Sequence, residues 1–83
     1  MEEKLEKIKN AITEPLKEQN IFVDNISYGK EDNVNTLFIV VDSDIVDLDM
    51  CVKATEIINP IVDKLNLIDE EYVLDVSGKV KGE

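Results

Sequence analysis

Thr36-Leu37-Phe38-Ile39-Val40-Val41 is the most strand-like run in the chain, and its reading decides the fold. Side chains alternate along an extended backbone, so Leu37, Ile39 and Val41 share one face and Phe38 and Val40 the other. A strand that is apolar on both faces sits centrally in a sheet, or has its second face covered. In a chain this short that cover can be a partner, which makes Phe38 and Val40 candidate contact residues.

Upstream, Ile21 to Tyr28 reads as a second strand, with Ile21 and Val23 on one face and Phe22, Ile26 and Tyr28 on the other. The polar segment 29–35 holds Gly and Asn and reads as a turn with a loose tip, giving a hairpin. Before it, Leu5, Ile8, Ile12 and Leu16 fall at steps of three and four, which predicts an amphipathic helix over residues 2–19. Pro15 predicts a kink or early break in that helix, and Asn20 a stop, since Asn tolerates the left-handed conformation of a helix end.

Downstream, residues 42–49 read Asp-Ser-Asp-Ile-Val-Asp-Leu-Asp, an acidic connection. Asp47 suits a helix N-cap and Asp49 the first turn. A second helix is expected to about Leu65. Its apolar side runs through Leu48, Cys51, Thr55, Ile58, Val62 and Leu65, widened by Ala54, Ile57 and Ile61, and Pro60 predicts a kink or a division into two pieces. Glu71 to Val76 alternates cleanly, with Tyr72, Leu74 and Val76 inward, and Ser77 onward reads as a fraying end. The order α-β-β-α-β gives an α+β class: two helices on one face of a three-stranded sheet, in a single domain over 1–77 with a tail at 78–83. If the second and third strands pair in parallel, the helix joining them is a right-handed crossover.

The whole sequence has 83 residues, 9 of them Lys, with no Arg or His, against 19 Asp and Glu, for a net charge of −10. Hydrophobic residues make up 43%, enough for a folded domain rather than a disordered chain. Without His and with one Cys, the usual zinc ligand sets and Ser-His or Cys-His nucleophiles have no members. One Cys forms no internal disulfide, which favours a reducing cytoplasm, and no apolar run is long enough to span a bilayer. The charge opposes gripping a phosphate backbone and favours a basic protein partner. A Gly-x-x-Gly RNA clamp is absent, the glycines being Gly29, Gly78 and Gly82.

The acidic run Asp42, Asp44, Asp47 and Asp49 departs from an EF-hand loop, which needs Gly at its sixth position, where Asp47 stands. No metal or other cofactor is expected. From Glu31 to Asp49 there are six carboxylates and no cation, a patch suited to a Lys- and Arg-rich protein. Cys51 and Tyr72 read as core residues. No nucleophile–base pair or carboxylate cleft points to catalysis.

From Asp42 onward the chain resembles the N-terminal domain of the bacterial ribosome maturation factor RimP. That family shows an acidic strand end, a short connection and a Leu-Asp-Asp-Cys helix start; here Asp42 is followed by Leu48-Asp49-Met50-Cys51. Thr55-Glu56 stands at the family's Ser-Arg pair, and Val62-Asp63 at its Leu-Asp. The family's Tyr-x-Leu-Glu-Val-Ser corresponds to Tyr72-Val73-Leu74-Asp75-Val76-Ser77. Pro15 matches a frequent family proline, while Asn20 and Asn25 replace a usual Gly and acidic residue. The likeness covers roughly residues 5–77 and departs at Gly78-Lys79-Val80-Lys81, where the family has Ser-Pro-Gly and a following Arg. It implies a non-enzymatic accessory factor that assists maturation of the small (30S) ribosomal subunit in the bacterial cytoplasm, and it places the family's C-terminal β-barrel domain outside this sequence. The expected partner is the small subunit, through a basic ribosomal protein rather than RNA, with Asp42, Asp44, Asp47, Asp49, Phe38 and Val40 as contacts. The alternative is a free-standing interaction module or homodimer that pairs through its sheet, using the Phe38 and Val40 face.

Overall fold

The computed structural model describes residues 2–79. Helix α1 (Glu2–Lys17) leads into strand β1 (Phe22–Glu31), strand β2 (Val34–Asp42), helix α2 (Leu48–Leu65) and strand β3 (Val73–Gly78). The α+β class and element order are those expected. Strand order, which pattern alone leaves open, is β1-β2-β3, with β2 in the centre. β1 and β2 are antiparallel, whereas β2 and β3 run parallel across the α2 crossover.

One core joins the layers. Ile8, Ile12 and Leu16 of α1 and Met50, Ala54, Ile58 and Val62 of α2 bury against Leu37, Ile39 and Val41 of β2. Both helices therefore cover one face of the sheet. Their buried rows follow the spacing of a single helical face. For α2 the row is rotated from the expected one. Leu48 lies two positions before Met50, about 200° round the helix, and so points away from the core.

A β-bulge corrects the expected faces of β1. The register shifts between Val23 and Asn25: Val23 opposes Val41, and Asn25 opposes Val40. One extra residue reverses the alternation downstream. Ile26 and Tyr28 thus join Val23 against the core, leaving Phe22 outward and half-exposed.

The hairpin tip is tight rather than loose. Glu31 pairs with Val34, and the two residues between them, Asp32 and Asn33, have φ of 53° and 65°. Two positive φ values in a two-residue loop make a type I′ turn, whose twist matches the flanking strands. A β-branched residue tolerates this conformation poorly. Asn33→Val is expected to lower stability by about 1–2 kcal/mol, read by urea denaturation, and Asn33→Gly to leave it unchanged or higher.

Neither proline breaks its helix. Pro15 lies in the last turn of α1, and Pro60 is on the wet side of α2, where the carbonyl of Glu56 can be hydrated. Each helix then ends on an Asn with positive φ. At Asn20 the Ile21 N–H donates to Leu16 O at 3.0 Å and the Asn20 N–H to Lys17 O at 2.9 Å, a Schellman pattern. At Asn66 the N–H donates to Val62 O at 3.2 Å.

The far end of β3 is more ordered than its composition predicts. Ser77 and Gly78 extend the strand, and the Lys79 N–H donates to Val41 O at 2.8 Å. The Lys79 ammonium meets Asp24 of the bulge at 3.1 Å. The remainder of the expected tail, 80–83, lies outside the described residues.

Three groups make the fold sensitive to alkaline pH. Partial burial raises the Tyr28 hydroxyl pKa, helped by its 2.9 Å hydrogen bond to Glu70 Oε1 and by that carboxylate's charge. Burial, with the charge of Asp63, raises that of Tyr72. The hydrogen bond and charge of Asp24 raise that of Lys79. Each group holds its proton more tightly when folded, so its contribution is complete below its unfolded pKa and is lost as pH rises through the folded one. Stability should therefore be insensitive to these groups at neutral pH and fall from about pH 10 upward. Chemical denaturation at stepped pH, with tyrosine ionisation followed by absorbance, checks the coincidence.

Candidate functional site

The acidic connection sits at the end of the sheet where β2 leaves and α2 begins. Its geometry is set by four hydrogen bonds. The Ser43 N–H donates to Asp42 Oδ1 and the Ser43 hydroxyl to the carbonyl of Asn20, both at 2.8 Å, joining the connection to the end of α1. Asp47 is the N-cap of α2, its Oδ1 accepting from the Met50 N–H at 2.8 Å. The Cys51 N–H donates to Asp47 O at 3.2 Å, the first bond of the helix.

These bonds leave Asp44, Asp47 and Asp49 exposed. They lie on the turn and the first turn of α2, where the helix dipole favours negative charge. Asp42 stands apart from them. It is half-buried at the end of β2, two residues from Val40 and opposite Phe22. Alternation places Asp42, Val40 and Phe38 together on the face of the sheet away from the helices. Within the described residues no secondary-structure element covers that face, and both Phe38 and Val40 are half-buried there by their strand neighbours. The six candidate residues thus divide into a sheet-face group and a turn group that meet at Asp42.

Gly78 holds the turn against the sheet. Its Cα approaches the side chain of Val46, and a Cβ there would overlap Val46 Cγ1, with Cys51 Sγ 3.5 Å and Met50 Cε 3.7 Å away. Cys51 is itself half-buried at this junction, on the flank of the core.

Three residues of this region escaped the sequence reading. Ile45, Leu48 and Val52 are exposed apolar side chains. The expected core row includes Leu48, although Met50, Ala54, Ile58 and Val62, each four apart, form the more regular seam. That spacing was the available signal for placing Leu48 outside.

Among the described residues, no three Cys or carboxylate groups come together as a metal site. The described helices include none long and apolar enough to cross a membrane. The arrangement offers negative charge and apolar surface for a non-covalent contact. A family model for the RimP N-terminal domain matches residues 6–78. A search of curated proteins gave no match.

Proposed function

The chain belongs to the family of RimP N-terminal domains, non-enzymatic factors of ribosome maturation associated with the small subunit, and on that premise we propose that it docks on the maturing 30S particle. The contact is the acidic turn and the start of α2, with Asp42, Asp44, Asp47 and Asp49 facing a basic ribosomal protein. The observation that carries this reading is the six carboxylates from Glu31 to Asp49 without a cation, three of them exposed on the turn and the first turn of α2. Carboxylates repel RNA phosphates, so a Lys- and Arg-rich protein is the favoured surface. Such a role belongs in the cytoplasm.

Co-sedimentation with purified small subunits, at low and at physiological salt, tests the reading. Salt-sensitive binding to free small subunits but not to assembled ribosomes is expected. Asp44→Lys, Asp47→Lys and Asp49→Lys together should reduce that binding at least about tenfold, equivalent to about 1.4 kcal/mol. Unchanged binding of the triple variant would remove the turn as the contact.

The uncovered sheet face favours a second reading, a module that pairs with another copy through Phe38 and Val40. Light scattering would then find a dimer that Phe38→Asp dissociates into folded monomers. Like charges on the two copies oppose this pairing.

A further inference from the structure

The start of α2 carries apolar surface that the fold does not use. Leu48 is 78% exposed, Ile45 70% and Val52 49%. Leu48 and Val52 are four apart on one helix, so one stands above the other. Ile45 lies in the turn that leads into them. Beside Ile45 is a shallow depression of about 250 Å³, lined by Ile21, Ile45 and Met50 together with the carboxylates of Asp47 and Asp49 and the single cation Lys53. A single exposed Leu needs no explanation, but three large exposed apolar residues within eight positions, interleaved with the exposed Asp44, Asp47 and Asp49, bring both chemistries to the turn and the start of α2.

Such a surface discriminates among partners by chemistry. Nucleic acid is repelled by the carboxylates and makes no use of the aliphatic side chains. A second copy brings the same negative charge to the same place. A Lys or Arg side chain fits both properties, because its methylene stem lies on apolar surface while its head reaches carboxylates. Apolar neighbours on the same segment would cover Leu48 and Val52. The N-cap bond engages one carboxylate oxygen of Asp47, and Asp49 lies one position after Leu48.

We propose that Ile45, Leu48 and Val52, with the adjoining depression, receive a segment of a partner protein in which apolar residues recur at every third or fourth position among Lys or Arg. This rests on the docking reading above and names the chemistry of its partner. Charge brings the segment to the turn; the apolar trio selects it from other basic chains.

The test uses the full chain and two labelled peptides of about 18 residues, roughly five helical turns. One carries Leu at every third or fourth position among Lys; the other is all Lys. Fluorescence anisotropy is expected to show tighter binding of the Lys/Leu peptide. Leu48→Ser with Val52→Ser should weaken that peptide about tenfold or more and leave the all-Lys peptide unchanged. These exposed substitutions should shift Tm by less than about 4 °C, so the loss is not unfolding. Equal binding of both peptides, or no effect of the double substitution, overturns the proposal. So does tighter binding of a single-stranded RNA of similar length, or a dimer in sedimentation equilibrium that Leu48→Ser dissolves. Small-subunit co-sedimentation run in parallel separates the two readings. Retained small-subunit binding by the Leu48/Val52 variant overturns this inference and leaves the docking role standing. Peptide discrimination without any small-subunit binding supports the surface and removes the ribosomal setting.

Discussion

Ile39→Ala is expected to lower the unfolding free energy by about 3–4 kcal/mol. Ile39 is at the middle of the central strand, with no exposed surface, opposite Ile26 on one side and Val76 on the other. Both helices contribute to the core above it. Truncation removes three carbons, and the sheet register and two packed helices restrict collapse into the space. A domain of this size has a total stability of roughly 4–12 kcal/mol, so the change removes a large share. Urea denaturation should show a fall in the midpoint with little change in slope. Val40→Ala, one position on, is the control. Val40 lies on the uncovered face, and its truncation should cost below about 1 kcal/mol. Similar costs at the two positions would mean that the second face is covered in solution.

Gly78→Val should have the second largest effect on stability, a loss of about 2–3 kcal/mol by overpacking. The clash is with Val46, in the middle of the acidic turn, so the substitution acts on the candidate site as well as on the fold. Two packed segments must separate: the end of β3 and residues 43–47. Gly78→Ala should cost less, because one methyl needs a smaller displacement. In the Gly78→Ala background, Val46→Ala should restore part of the loss by removing the opposing methyl groups. A double-mutant cycle from thermal or urea melts measures that coupling. Amide shifts of Asp44 to Asp49 in ¹H–¹⁵N spectra should follow the stability changes. No coupling between positions 46 and 78 would mean that the turn does not rest on the strand.

The face of α1, the alternation of β2 and β3 and the N-cap at Asp47 were legible because each follows from a local period or a local bond. Ile8, Ile12 and Leu16 repeat at helical spacing; Leu74 and Val76 alternate. What escaped depended on more distant geometry. The bulge at Asp24 and Asn25 reverses the faces of Ile26 and Tyr28, and nothing in those two polar residues announces an extra position. The tight turn at Asp32-Asn33 was signalled more clearly, since both residue types tolerate positive φ. Lys79 read as the start of a polar tail, yet it bonds Asp24, which lies far away in sequence at the bulge. The acidic candidates were visible as composition. Their apolar companions Ile45, Leu48 and Val52 were obscured because α2 has apolar residues on most of its sides. Only the packed row of Met50, Ala54, Ile58 and Val62 shows which side the core takes.

The parallel pairing of β2 with β3 bears on the order in which the protein assembles. The β1–β2 hairpin closes over a two-residue turn, an event of about 1–10 μs. β3 has to return across α2, joining Thr36 to Val73, 73 − 36 = 37 positions apart. Its closure entropy is spent before any of its ladder bonds form. The hairpin with α1 is therefore the natural nucleus, and β3 docks after the main barrier. Substitutions at the Asp32-Asn33 turn should slow folding, whereas those at Leu74 or Val76 should chiefly speed unfolding. Until β3 docks, one edge of the central strand stays open, so the last strand to arrive also closes the edge most prone to pairing with another chain.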